Sequence, residues 1–251
     1  MTDTRVDLHV KVLDERVAER AKRRGVDTLV YAPHFTRLPT ARRRAEAFSD
    51  DELTVVPGRE VFTGTWGNRK HVLAIGLSEP VPDFIPLETA MAEFERQGAA
   101  VLAPHPEFLN VSLSASDIAY YEDTLDAVET YNPKHLPADN RRAREIAADT
   151  GIPPFASTYA HLRTTVGEVW SRFDRSIRSE AELVGALREG APRGVGHRDG
   201  TVHRLRRAAE FAHLGWENSY GKLDRILLSG MEPTHPRHIA YEGRFEDAAL
   251  Y

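Results

Sequence analysis

Histidines recur along this chain at the ends of short apolar runs, where side chains suited to binding metal ions could meet. The sequence has eleven histidines among its 251 residues and no cysteine. Five of these histidines and one glutamate lie at such boundaries, in the order His9, His34, Glu60, His71, His105 and His161. Imidazole nitrogens and a carboxylate that converge on one point form a site for Zn²⁺, Mn²⁺ or Fe²⁺.

Each of these residues has an ordinary explanation when it is taken alone. A single histidine near a strand end is most often a partly exposed polar residue. Glu60 taken alone would be a surface carboxylate. Asp14, a further candidate ligand outside this list, is, taken alone, typical of a helix N-cap. The ordered pattern of all six favours a metal site over these separate explanations.

The elements that must position these side chains alternate between strands and helices. Strands are predicted at residues 5–10, 28–32, 53–56, 71–75, 99–103, 125–131 and 152–156. Helical stripes at 13–21, 87–94 and 143–147 end at glycine, and Ser179 with Glu182 forms a capping box that opens another helix. This rhythm predicts an α/β fold with a mostly parallel sheet, closed or nearly closed as a barrel. The histidines then lie at the carboxyl-terminal mouth, where barrel enzymes hold their active sites.

The pattern changes near residue 194. We predict a barrel over residues 1–194 and a C-terminal helical extension over 195–251, packed on the barrel. Helices are predicted at 202–211 and 223–228, followed by a polar tail.

Composition excludes several classes of protein. Without cysteine there are no disulfides, zinc–thiolate sites, iron–sulfur clusters or cysteine nucleophiles. No apolar run is long enough to span a membrane, and the polar start of the chain does not resemble a signal peptide, so we expect a cytoplasmic protein without a membrane partner. The net charge of -5 argues against a dedicated DNA-coating protein. The basic runs Arg42–Arg44 and Arg204–Arg207 are expected on solvated helix faces, so nucleic-acid contact is not favoured.

Several short motifs resemble, in the correct order, those of the PHP domain, the polymerase and histidinol phosphatase superfamily. Asp7–Lys11 resembles its opening Asp-Leu-His-x-His motif. The later pieces are Ala32-Pro33-His34, Gly58-Arg59-Glu60, the strand that begins at His71, Ala103-Pro104-His105-Pro106, Glu129–Asn132 and Ser157–His161. Each piece is weak alone, but seven in order are specific, and together they span residues 3 to about 190.

The resemblance implies a distorted seven-stranded TIM-like (β/α) barrel that holds divalent metal ions and hydrolyses phosphate esters. It implies one ligand set of Glu60, His71 and His105 and a second of His34, His161 and Asp14. In the family, the positions that Lys11 and Tyr159 occupy here serve one further ion, and His9 is also an expected metal ligand. We therefore expect one or two ions of Zn²⁺, Mn²⁺ or Fe²⁺ per chain.

The two replacements separate this chain from its relatives. Residues two apart on a strand face the same side, so Lys11 points with His9 and Tyr159 with His161. The Lys11 ammonium would take the place of the missing cation, offset Glu60 and attract phosphate, and Tyr159 would donate to substrate or to His9. Arg163, two residues past His161, suits bidentate binding of phosphate, and Arg37 follows His34 in the same way. The alternative is a decayed site that binds no substrate.

The expected function is that of a metal-dependent phosphoesterase in which metal-bound hydroxide attacks phosphorus. Its substrate would be a phosphorylated metabolite, a nucleotide or an oligonucleotide end. The alternative is a non-catalytic PHP-like scaffold that binds RNA or protein partners. The oligomeric state is left open.

Overall fold

The computed structural model describes residues 3–65, 67–108, 111–206, 208–213 and 233–250. Its nine strands are β1 (Thr4–Val10), β2 (Thr28–Tyr31), β3 (Thr54–Thr65), β4 (Asn68–Ile75), β5 (Ala100–Ala103), β6 (Ala127–Tyr131), β7 (Pro154–Ala156), β8 (Val169–Phe173) and β9 (Arg193–His197). Its helices are α1 (Glu15–Arg23), α2 (Leu38–Phe48), α3 (Leu87–Arg96), α4 (Ala115–Tyr120), α5 (Pro137–Thr150) and α6 (Glu180–Arg188).

All nine strands belong to one mixed sheet in the order β7-β6-β5-β4-β3-β2-β1-β8-β9. Strands β1 to β3 are parallel, as are β5 to β7, whereas β4 is antiparallel to both of its neighbours and β8 to both of its own. The segment after β7 returns to β1, because Lys11 N donates to Ala160 O at 2.9 Å. The Ser171 hydroxyl of β8 also bonds both backbone groups of Ala156 in β7. The predicted α/β fold with a nearly closed barrel is confirmed, whereas the prediction of a mostly parallel sheet is wrong, because four of the eight strand pairs are antiparallel.

The sheet has nine strands where the resemblance implied a barrel of seven. Strands β8 and β9 were not predicted. For β9 the reason is its sequence, Arg-Gly-Val-Gly-His, because glycine weakens a strand pattern. The structure supplies a reason for one of these glycines. Gly196 pairs with Trp170 across the ladder, and a Cβ there would lie 2.3 Å from the indole Nε1.

Helices cover the outer face of the sheet and close its core. Phe94 and Met91 of α3 and Ile146 of α5 are buried in one apolar cluster with Val72 and Val101 of the sheet. A second cluster, which includes Leu8, Phe155 and Phe173, fills the space around β1, β7 and β8. Burying each such side chain contributes about 1.5–3 kcal/mol, so the strand ends that carry the histidines rest on a rigid frame.

The C-terminal part of the chain meets the barrel at several points. Residues 201–206 and 208–213 are helical, as predicted for 202–211, whereas the helix predicted at 223–228 lies outside the described residues. Strand β9 crosses the proposed boundary at residue 194, and the division into barrel and extension stays a prediction. Tyr241 and Phe245 are buried in the cluster around α3. Within the described ranges, no helix combines the length and the apolar character needed to cross a bilayer.

Candidate metal centre

The barrel mouth gathers the predicted site residues from five different strands. His9 lies in β1 and Glu60 in β3, while His34 and His105 directly follow the turns after β2 and β5. His71 reaches the same place from β4, where it pairs with Phe62, two residues beyond Glu60. The antiparallel β3–β4 pair thus brings Glu60 and His71 together although β4 runs against the other strands.

Glu60 is the centre of the cluster, and its side chain is fully buried. Its Oε1 lies 3.0 Å from His105 Nε2, 3.4 Å from His71 Nδ1 and 3.6 Å from His9 Nε2. Its Oε2 lies 2.8 Å from His34 Nε2. Four imidazole rings from four segments of the chain therefore converge on one carboxylate.

The protonation states of this cluster are those that bind metal. Burial opposes the charged form of Glu60, but the Lys11 ammonium and the neighbouring His9 and His71 outweigh it and hold the pKa of the carboxyl well below its usual range. Burial and the nearby Lys11 lower the pKa of His34 to about 3 and that of His9 well below its ordinary value. Burial also lowers the pKa of His71 to about 4. Ionised carboxylates and neutral imidazoles are the ligand forms that cations require.

Several buried nitrogens in the cluster make no hydrogen bond among the described residues. They include both ring nitrogens of His9 and both of His71. A buried polar atom without a partner is costly, and a cation would satisfy the one nitrogen of each neutral ring that carries a lone pair. Ligand atoms of Glu60, His71 and His105 all lie within 4.8 Å of one another, so these three residues fit a single divalent ion.

A hydroxyl group behind His105 sets the orientation of its ring. The Ser112 hydroxyl donates to Phe108 O and therefore accepts from His105 Nδ1–H at 2.9 Å. The lone pair on His105 Nε2 is then directed at Glu60, an arrangement of two acceptors that a metal ion between them would stabilise. Outer hydrogen bonds of this kind commonly orient histidine ligands.

Lys11 occupies the same inward face as His9. Its ammonium donates to Glu60 Oε2 and to Ala32 O, each at 2.6 Å, and the side chain is buried. A positive charge therefore lies against the carboxylate at the position where the family motif has a second histidine. This ion pair neutralises part of the negative charge that would otherwise draw a further cation.

Tyr159 lies among the rings of three histidines. Its ring centroid is 4.7 Å from that of His9, 5.0 Å from that of His105 and 4.7 Å from that of His161. The backbone of Tyr159 has φ +46°, a left-handed conformation that is strained for a bulky residue and is often found at functional sites.

A second buried lysine completes this side of the mouth. Lys134 Nζ lies 2.6 Å from His161 Nδ1 and 4.0 Å from the centroid of the Tyr159 ring. It also lies 3.3 Å from Glu210 Oε2, and Glu210 accepts from the backbone N–H groups of His161 and Leu162. An ammonium thus lies against His161, the residue predicted to ligate a second metal ion.

Two of the predicted site residues lie outside this cluster. Asp14 caps α1 by accepting from Val17 N through Oδ1, and its Oδ2 lies 2.5 Å from Arg163 Nε. Both oxygens of Asp14 are therefore engaged by other partners, and the structure does not bring Asp14 to Glu60. The Arg163 side chain is 56% exposed, at the rim of the site and not in its interior.

Three residues of the site were not found from the sequence. Lys134 lies shortly after the end of β6. A search for lysine, as well as histidine and glutamate, at the ends of predicted strands would have found it. Ser112 and Glu210 carried no signal, because their roles depend on contacts made by the folded loop and the C-terminal helix. Glu129 was noted only as part of a motif, and in the structure its carboxylate accepts from His105 N and Asn132 Nδ2. It thereby holds His105 at φ +35°.

A cavity of about 380 Å³ leads from the surface to this mouth. Its lining residues are Lys11, Val12, Pro33, His34, Phe35, His161 and His213. The cavity gives a small molecule access to the side of the cluster where Lys11 and His34 meet Glu60.

Comparison with known proteins agrees with this geometry. Residues 137–192 match the model of the PHP-associated family. Among curated proteins no sequence matches the chain. The fold is similar to that of a two-domain protein from Bacteroides vulgatus that contains a predicted PHP-like metal-dependent phosphoesterase, with a TM-score of 0.60 and 17% identity over 82% of this chain and 69% of that one. The chain has a PHP-like fold.

Two further solved structures are similar to this chain in fold. PsfC from Pseudomonas syringae gives a TM-score of 0.63 and 18% identity, over 88% of this chain and 100% of that chain. The lesion-specific endonuclease PfuEndoQ from Pyrococcus furiosus gives 0.58 and 17%, over 77% of this chain and 58% of that one. The resemblance to the PHP family drawn from the motifs is confirmed by the matched segment and the fold.

Proposed function

We propose that this protein is a metal-dependent phosphoesterase whose centre is the cluster around Glu60. The observation that carries the proposal is a fully buried carboxylate surrounded by four imidazoles, two of which have no hydrogen bond among the described residues. The PHP-like neighbours, among them a metal-dependent phosphoesterase and an endonuclease, support hydrolysis of a phosphate ester.

Glu60, His71 and His105 would hold the first ion, and His9 and His34 complete its surroundings. A divalent ion held there would polarise a phosphoryl oxygen and lower the pKa of a water molecule. Nitrogen and oxygen donors suit Zn²⁺, Mn²⁺ or Fe²⁺. We propose at most one further ion near His34 and His161, because Lys134 lies against His161 Nδ1.

The chain's own residues would bind and orient the substrate. Lys11 lines the mouth cavity, where its fixed positive charge attracts phosphoryl oxygens while it keeps Glu60 ionised. Tyr159, packed between His9 and His105, would hold these rings in place and exclude water from behind the cluster. Arg163 would contact phosphate only after release from Asp14. The cavity of about 380 Å³ suits a phosphorylated metabolite, a nucleotide or the end of an oligonucleotide.

A second candidate function is favoured by the two buried lysines. Lys11 and Lys134 supply two positive charges to the mouth, so the site could persist as a scaffold that binds RNA or protein without catalysis. The scaffold requires neither bound metal nor turnover, which separates it from the enzyme.

The test uses protein purified without added metal. Elemental analysis should find one or two equivalents of metal, and a panel of phosphate monoesters and diesters should reveal turnover that a chelator abolishes. The variant His105→Ala should lose most of the metal while circular dichroism shows an intact fold. His135→Ala is the matched control, since His135 is also buried but lies outside the Glu60 cluster. Equal metal content in His105→Ala and wild type would refute this ligand set, and metal-free protein without turnover would favour the scaffold.

A further inference from the structure

A second cavity, of about 470 Å³, lies beside β8 and β9, and its lining includes three arginines, two histidines and the carboxylates of Glu168 and Asp199. Arg24, Arg198, Arg206 and His203 line it together with Glu168 and Trp170. It shares no lining residue with the cavity at the barrel mouth. Residues from α1, from the start of β8, from the end of β9 and from the C-terminal helix therefore meet here.

Glu168 is buried at the centre of this cavity and faces three guanidinium groups. A single oxygen, Oε1, lies 2.9 Å from Arg20 Nη2, 3.2 Å from Arg24 Nη2 and 2.6 Å from Arg206 Nη1. One carboxylate is thus paired with three guanidinium groups. Their positive charges persist, because arginine stays protonated in proteins. The site has a surplus of positive charge in a chain whose net charge is -5.

Arg198 adds a fourth guanidinium, whose hydrogen bonds within the described residues go to backbone carbonyls. Its Nε donates to Gly167 O at 3.2 Å and its Nη2 to Arg24 O at 3.0 Å. Burial and the neighbouring Arg24 lower the pKa of Arg198, and burial with Arg24 and Arg206 lowers that of Arg20 to about 10. Burial is the larger cause of both shifts and repulsion between neighbouring guanidinium groups the second, and an added anion would offset both.

His203 supplies an independent indication of a ligand. The residue is 5% exposed and lines the cavity. Its Nδ1 lies 3.1 Å from Glu168 Oε2, but its buried Nε2 makes no hydrogen bond among the described residues. A buried ring nitrogen that lacks a hydrogen bond within the described part of the chain is costly, and because His203 lines the cavity, a ligand with polar oxygens there would satisfy it.

We propose that this cavity binds a phosphate group of a small phosphorylated molecule through Arg24, Arg206 and His203. Guanidinium groups match the oxygens of phosphate in pairs, and Nε2–H of the His203 ring would donate a further hydrogen bond. The volume exceeds that of a lone phosphate and falls in the range of small-ligand sites, with Trp170 as an apolar wall. The proposal does not rest on hydrolysis at the barrel mouth.

The C-terminal helix connects this anion site with the mouth. His203, Arg206 and Glu210 follow one another at spacings of three and four residues and share one helical face. Glu210 accepts from the backbone N–H groups of His161 and Leu162. Helical residues 201–206 therefore contact the anion site, and helical residues 208–213 contact the loop that carries His161.

The experiment is calorimetric titration of inorganic pyrophosphate into chelator-treated, dialysed protein at low ionic strength. We expect one site per chain in the wild type, weakened by about tenfold in Arg206→Gln, the usual effect of losing one charge-assisted contact. Arg142→Gln is the matched control. Arg142 also pairs with a glutamate, Glu107, but it lies on α5 away from the cavity, so this variant should bind pyrophosphate as the wild type does. Absence of binding, or equal affinity in Arg206→Gln, would overturn the proposal.

Two further variants locate the anion. Glu168→Gln removes the competing carboxylate, so it should bind pyrophosphate more tightly than the wild type; if it is unstable, pyrophosphate should raise its Tm more than that of the wild type. A purely structural salt bridge would give neither result. Lys11→Gln should leave the affinity unchanged, and loss of binding in that variant would place the anion at the barrel mouth and refute the site.

Discussion

Two buried glutamates, Glu60 and Glu168, each lie at the centre of a ring of basic side chains, yet the two rings differ in one property. Burial lowers the pKa of His34 and of His71 beside Glu60 to about 3 and about 4, so these rings stay neutral at pH 7 and each offers a lone pair to a cation. The arginines around Glu168 keep their charge, so this one carboxylate leaves a surplus of positive charge that an anion would balance. Whether the side chains around the carboxylate can lose a proton, as histidine can and arginine cannot, therefore decides the kind of ligand. The buried carboxylate itself is common to both sites.

The largest effect is expected when each of the two carboxylates is replaced by an amide, in two separate variants. Glu60→Gln should lose nearly all bound metal and roughly a thousandfold in phosphate-ester hydrolysis, because a charged ligand is worth several kcal/mol at such a site. Glu168→Gln should keep the metal content of the wild type. Elemental analysis and steady-state kinetics on both proteins decide the matter, and metal loss in Glu168→Gln would erase the contrast between the two rings.

The next effect concerns the number of ions at the mouth. An ammonium about 4 Å from a divalent ion repels it by roughly 8 kcal/mol at an effective dielectric of 20, so we expect at most two ions in the wild type. The double variant Lys11→His with Tyr159→Asp should bind one more, and Lys11→His alone should gain less. Elemental analysis of the wild type, both single variants and the double variant provides the check. Three tightly bound ions in the wild type would show that other residues supply the missing ligands.

A smaller effect is expected behind the metal ligands. Ser112→Ala removes the acceptor that holds His105 Nδ1–H, and loss of such outer partners commonly weakens metal binding by about 10- to 100-fold. Competition with a chelating indicator measures this affinity directly. Ser116→Ala, on the exposed start of α4, serves as the control. An unchanged affinity in Ser112→Ala would mean that the ring of His105 is oriented without it.

The smallest effect separates a helix cap from a metal ligand. Asp14→Ala should lower the free energy of unfolding by about 1 kcal/mol, the usual cost of losing an N-cap, and should leave the metal content unchanged. Urea denaturation and elemental analysis give the two quantities. A loss of metal would return Asp14 to the second ligand set that the family resemblance implies.

Much of the frame follows from local sequence. Alternating apolar runs and glycine-terminated helical stripes predict the nearly closed α/β barrel, and the period of two along a strand places Lys11 beside His9. The ordered motifs identify Glu60, His71 and His105, which the structure brings within one ligand sphere. The nine-stranded order is not predictable in this way, since β8 inserts beside β1 across more than 160 residues of chain.

Tertiary structure decided which of the candidate residues act together. Asp14 and Arg163 were assigned to the site by position, but the fold pairs them with each other. Lys134 reaches His161 only because the loops after β6 and β7 lie side by side, and Glu168 collects arginines from α1 and from the C-terminal helix. The sequence by itself determined the side-chain types and the face of each strand, because both are local properties. The tertiary structure decided the ligand preference of each buried carboxylate, because burial and the distance between charges exist only once the sheet has closed.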